Sequence, residues 1–236
     1  MANMDVFSEE ENLIMLAETE NDGWAMVRLG NMYAERNEYD KAYEWYLKAE
    51  DACDEDAYDA AFNIANMYYY GRYLEQDYKK AYDKFQWLAQ HDYTAAIFYM
   101  GVYAEYGFLG KVDYKKAITY YEEALTLGDA FSATNLGRMY SLGIGVEKDI
   151  KKGFGYYKQA YDMGDDMACV NLGYCYEVGQ GVRKSKRKAI RYYYEGAQRR
   201  EENAIDNLGR FNVVEVLPVK TMNIVSKKLK TMWEKR

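Results

Sequence analysis

The chain has 236 residues, of which 49% are hydrophobic and 29% charged, enough apolar material for a buried core, and no run is apolar for long enough to span a membrane as a helix. Its single proline, Pro218, set against 27 tyrosines, favours helices over strands, because proline is excluded from helix interiors while a tyrosine ring can fill a packing seam. The formal charge of −7 conceals an asymmetry: residues 1–100 carry 8 basic and 21 acidic side chains, residues 101–236 carry 23 and 17. Cys53, Cys169 and Cys175 form no C-x-x-C pair, which indicates neither a disulfide framework nor a zinc site. With no basic-then-apolar leader in MANMDVFSEEEN, they predict a cytoplasmic protein.

In chain order, Ser8 and Glu11 form a capping box, and Ile14 and Ala17 stand in register with inward positions of later helices. Residues 1–21 are therefore expected to be an N-terminal capping helix. From there a hydrophobic–small pair recurs as Leu29-Gly30, Ile64-Ala65, Met100-Gly101, Leu136-Gly137, Leu172-Gly173 and Leu208-Gly209, at spacings of 35 and then 36 residues. Four residues before each pair stands a small side chain: Ala25, Ala60, Ala96, Ser132, Ala168 and Ala204. A second series, Ala42, Ala81, Ala117, Gly153 and Ala189, is followed four residues on by Tyr46, Phe85, Tyr121, Tyr157 and Tyr193. Such offsets lie on one face of an α-helix, so each repeat comprises a helix A with the first series and a helix B with the second.

The punctuation agrees. Gly71, Gly107, Gly143 and Gly179 are placed to end helix A in left-handed geometry, and Asp77, Asp113, Asp149 and Ser185 to cap helix B. Gly128 and Gly164 are placed to close helix B. Repeat one differs, with 12 residues from Gly30 to Ala42 where the later repeats have 16.

These residues resemble the Sel-1-like repeats, relatives of the tetratricopeptide repeats, over about residues 22–211. The fourth repeat carries the pattern most fully, in Asn135, Leu136, Gly137, Tyr140, Gly143, Gly145, Val146, Asp149, Lys152, Tyr157 and Ala160. The resemblance implies an all-α fold, a right-handed α-solenoid superhelix of antiparallel helix pairs. Five repeats are expected at about 22–56, 57–92, 93–129, 130–165 and 166–202. Residues 203–236 are expected to be a partial sixth repeat and a basic amphipathic capping helix, with Met222, Val225, Leu229, Met232 and Trp233 on one face.

Chemistry-bearing motifs are sparse. His91 is the only histidine and stands near a turn, with no nucleophile or orienting carboxylate at a usable spacing. No phosphate-binding G-x-x-x-x-G-K-[ST] loop is present, and the Gly143/Gly145 pairing recurs as a structural turn. The acidic run from Glu50 to Asp56 lacks the calcium-loop glycine and distal glutamate and is read as a solvated loop. The basic cluster of Arg183, Lys184, Lys186, Arg187 and Lys188 with Arg191, Arg199 and Arg200 could meet phosphates or an acidic protein face, but acidity elsewhere argues against nucleic acid.

No enzyme, cofactor or metal is therefore expected. The resemblance implies a protein-binding adaptor or scaffold whose A helices line the concave side. On that register the candidate contacts are Trp24, Asn31, Phe62, Asn66, Tyr69, Tyr70, Phe98, Tyr106, Phe131, Arg138 and Tyr174, with Val27, Glu105, Thr134, Val170 and Glu177 at equivalent positions. Tyr33, Tyr68, Tyr140 and Tyr176 recur at a position expected to pack between helices. The alternative is a dedicated inhibitor, such as an immunity protein, whose acidic half would suit a basic enzyme. The expected partner is a protein or peptide, not nucleic acid or a membrane.

Overall fold

The structure is a computed structural model and describes residues 8–52, 56–198, 204 and 207. Among the described residues there are eleven α-helices and no strand. The chain divides into two compact units, Met1–Asp113 and Tyr114–Arg236. The first holds α1 (Glu9–Thr19), α2 (Gly23–Glu35), α3 (Tyr39–Asp51), α4 (Ala57–Tyr70), α5 (Tyr78–Ala89) and α6 (Thr94–Tyr106). The second holds α7 (Tyr114–Thr126), α8 (Ala130–Leu142), α9 (Ile150–Asp162), α10 (Met167–Val178) and α11 (Lys186–Gln198). The repeat expected at 93–129 thus contributes α6 to one unit and α7 to the other.

Within each unit, consecutive helices pack as pairs, α2 on α3, α4 on α5, α8 on α9 and α10 on α11. The two sequence series explain how. A Cβ added at Gly30 would lie 2.4 Å from the Tyr46 ring, one at Gly137 2.6 Å from Tyr157, and one at Gly173 2.5 Å from Tyr193. The A-helix glycine is where the B-helix aromatic crosses, and the missing side chain lets the ring lie against backbone. Beside it, Leu29, Leu136 and Leu172 are fully buried, and truncating one such leucine to alanine costs about 2–5 kcal/mol. In the second repeat Ala65 takes the glycine's place, and it and Phe85 are both fully buried.

Gly71, Gly107, Gly143 and Gly179 end their helices with φ of 66°, 64°, 76° and 81°, a conformation that glycine adopts without a Cβ penalty. Asp77 accepts the Lys80 amide (2.9 Å), Asp149 the Lys152 amide (2.9 Å) and Ser185 the Lys188 amide (3.3 Å), satisfying amides that the first helical turn leaves without intrahelical partners. The short connection in repeat one consists of residues 36–38 and turns on Asn37 at φ 63°, with the Glu38 amide donating to the Tyr33 carbonyl at 2.9 Å.

Helix α1 covers the open side of α2 through one stripe. Ser8 Oγ accepts the Glu11 amide, and Glu11 returns a bond to the Ser8 amide. Tyr33 donates to Glu10 at 2.7 Å, Arg36 pairs with Glu10 at 2.8 Å, and Leu13 and Ala17 are buried behind them. Ile14, expected to face inward, is half-buried and packs against the same core beside the fully inward Leu13. The expected C-terminal segment, including Pro218 and the basic capping helix, lies outside the described residues apart from Ala204 and Asn207, both helical.

Candidate functional site

In the first unit, α2, α3 and α4 enclose an open groove of about 420 Å³. Its wall on α2 carries Arg28, Asn31, Ala34 and Glu35; α3 supplies Tyr39 and Tyr46; α4 supplies Asn63, Asn66, Met67 and Tyr70; Arg72 follows from the next loop. Three carboxamides therefore share one surface. Tyr46 donates to Asn31 Oδ1 at 2.8 Å, and Asn63 Nδ2 donates to the same oxygen at 3.2 Å. Asn66 differs: its Oδ1 is shut off from solvent and accepts no hydrogen bond among the described residues.

The predicted contacts separate into two kinds. Trp24 is 56% exposed, Tyr70 50% and Tyr106 60%, whereas Phe62, Tyr69 and Phe98 are half-buried in an aromatic cluster. There Phe85 stacks on Tyr99 at 4.4 Å, Phe62 lies 5.7 Å from Phe85 and 5.2 Å from Tyr93, and Tyr69 meets Tyr99 at 5.2 Å and Phe108 at 5.7 Å. Burial among these rings pushes the Tyr69 hydroxyl up to about 12. The Tyr70 and Tyr99 hydroxyls are 3.0 Å apart, so the cluster holds Tyr70 at the groove edge. Val27 and Glu105 are buried; their register turns inward where helices cross.

In the second unit, Phe131 and Tyr174 are 56% and 50% exposed, and Arg138 is half-buried with its guanidinium on Asn135 Oδ1 at 3.3 Å. Asp165 is buried and accepts from the Thr134 hydroxyl and, at 3.0 Å, from the Met167 amide. Burial raises its carboxyl above the usual aspartate range. Tyr33, Tyr140 and Tyr176 are buried, and Tyr68 is half-buried.

Arg28, Asn63 and Arg72 were not among the residues expected from the sequence. Arg72 carried a signal: the corresponding loop positions hold Phe108, Ile144 and Gln180, so this arginine departs from the repeat. Among the described residues no three His, Cys, Asp or Glu side chains converge as a metal site, and no helix is long and apolar enough to cross a membrane. His91 is exposed and packs on the Trp87 ring at 4.8 Å, with Nδ1 2.8 Å from the Trp87 carbonyl.

Paired helices with glycine–aromatic seams define an all-α helical-repeat protein of the α-solenoid class. The Sel1 repeat model matches residues 25–52, 59–83, 94–129, 130–165 and 166–200, and the chain belongs to the Sel1 repeat family. It is similar to a crystal structure of a Sel1 repeat protein from Oxalobacter formigenes, at 30% identity and a TM-score of 0.78, over 96% of this chain and 94% of that one. A protective antigen of uropathogenic Escherichia coli displaying an SLR fold is 22% identical, with a TM-score of 0.62 over 91% of this chain and 54% of that one. An immunity protein from Pseudomonas aeruginosa is 19% identical, with a TM-score of 0.58 over 89% and 83%. Among curated protein sequences, none matches this chain. Sel1 repeats are in general non-enzymatic scaffolds that mediate protein interactions.

Proposed function

We propose that this chain is a non-enzymatic adaptor or scaffold, and that the groove of its first unit holds an extended stretch of a partner protein. The composition of the groove supports this reading: Asn31, Asn63 and Asn66 line it, with Tyr70 exposed beside them. A carboxamide offers both a donor and an acceptor, matching the N–H and C=O of a peptide backbone, and an exposed tyrosine gives broad contact for little lost entropy. Trp24 and Tyr106 in the first unit, and Phe131, Arg138 and Tyr174 in the second, are proposed as additional contacts. Phe62, Tyr69 and Phe98 contribute by fixing the aromatic wall behind them. A cytoplasmic site of action belongs to the same proposal, supported by buried thiols at Cys169 and Cys175.

The test is selection of a displayed random dodecapeptide library on the full chain and on its Asn66→Ala/Tyr70→Ala variant, with folding checked by circular dichroism. Peptides enriched by the wild type should fall to background on the folded variant. Equal retention, or no enrichment over an unrelated helical-repeat protein, refutes the reading.

A second reading is a dedicated inhibitor. It draws on the 21 acidic side chains among residues 1–100, which would suit a basic enzyme. The Pseudomonas immunity protein supports only the fold at its level of identity. Loss of binding in moderate salt, with a toxic basic partner recovered, would favour this reading over the adaptor.

A further inference from the structure

Arg72 is the residue of the groove that the fold least needs. It is exposed, it follows the left-handed Gly71 cap, and its counterparts are Phe108, Ile144 and Gln180. The first hundred residues carry 21 carboxylates, yet Arg72 pairs with none among the described residues. Its guanidinium instead lies over the Tyr70 ring at 4.9 Å and near the Tyr39 ring at 6.0 Å. Aromatic faces hold the guanidinium plane and leave its N–H fork open in the groove, the geometry that grips a carboxylate with two parallel hydrogen bonds.

Asn66 supplies the second observation. Its carboxamide lines the groove while its oxygen lacks a donor, a state that costs free energy and is relieved when a donor arrives. A half-turn of the amide, which exchanges its oxygen and nitrogen ends, would bring that oxygen to the groove side, where a peptide N–H would satisfy it. The other cation, Arg28, already faces Glu9 at 3.2 Å, and Glu35 also lines the groove. The acidic surroundings repel a polyanion and tolerate a single carboxylate on an otherwise neutral or basic segment, since that field is screened beyond about 8 Å at physiological salt while the Arg72 contact is direct.

We propose that the groove selects an extended protein segment bearing one side-chain carboxylate, which the Arg72 fork receives while Asn66 takes a backbone N–H beside it. This rests on the reading above that the groove binds a protein segment.

The probes are three immobilised octapeptide libraries, acetylated and amidated, identical except for a fixed central Glu, Gln or Lys. Retention of the full chain is measured for wild type, Arg72→Ala and Arg72→Lys, with unfolding midpoints recorded. The wild type should favour Glu over Gln by roughly tenfold, as expected for one charge-assisted bidentate pair. Arg72→Ala should abolish the preference with its midpoint unchanged, and Arg72→Lys, keeping charge without the fork, should retain only part of it. A wild type that binds peptides without preferring Glu, or an Arg72→Ala variant that keeps the preference, overturns the inference while the binding groove stands. A preference confined to a free-acid version of the libraries overturns the side-chain assignment in favour of a chain terminus. A wild type that retains no library overturns the groove reading and this inference together.

Discussion

Asn63 of α4 donates through Nδ2 to Oδ1 of Asn31 on α2, at 3.2 Å, joining neighbouring A helices through the floor of the groove. The same oxygen accepts from buried Tyr46 at 2.8 Å. Tyr46→Phe removes one bond and is expected to cost about 1 kcal/mol, whereas Asn31→Ala strands the Tyr46 hydroxyl and costs about 1–3 kcal/mol. Because both act through one oxygen, the double variant should cost less than the two singles combined, measured by urea denaturation.

Two glycines separate close packing from helix propensity. At Gly137 an added Cβ would lie 2.6 Å from the Tyr157 ring and 3.1 Å from the Gly153 carbonyl, while at exposed Gly155 nothing lies within 4 Å. Gly137→Ala is therefore expected to destabilise by about 1–3 kcal/mol through overpacking. Gly155→Ala should stabilise by about 0.5–1 kcal/mol. Thermal unfolding midpoints moving in opposite directions would check both.

Ser132 occupies the register where other repeats place alanine, and its buried hydroxyl finds no partner among the described residues. Ser132→Ala deletes an uncompensated polar atom without altering the fit. A gain of about 1 kcal/mol is expected on denaturant unfolding.

Much of this architecture was legible in the sequence, because the demands on the chain are local and repeated. Gly137 must be small where Tyr157 crosses, and Gly143 must reach φ 76° to end α8; both constraints recur every 36 residues as residue types. The groove was legible only in part. An aromatic on the A-helix face serves equally as exposed contact or inter-helix filler, and the difference between Tyr70 and Tyr69 depends on Tyr99 and Phe108, which come from the following repeat. Arg28 and Asn63 were missed because their convergence depends on how α2 and α4 are juxtaposed. Arg72 was missed because loop positions were read for their glycines.

Asp165 supplies a pH test in the second unit. Its folded carboxyl holds a proton more tightly than the unfolded one, so stability falls as pH rises from the ordinary aspartate range through the raised folded value. Asp165→Asn keeps an acceptor for the Met167 amide and can donate to Thr134. The stability of the wild type relative to this variant should decline across that window, read from urea midpoints over a pH series.

The claim that a partner occupies the groove of the first unit is tested most directly by photo-crosslinking. Tyr70→p-benzoylphenylalanine places the probe at the groove edge, and Trp87→p-benzoylphenylalanine places it on α5, where Trp87 is 42% exposed and is not part of the groove lining. Each full-length protein is irradiated with the peptides recovered by selection, and adducts are mapped by mass spectrometry. Adducts at position 70 and none at position 87 are predicted; adducts at 87 with none at 70 would contradict the account.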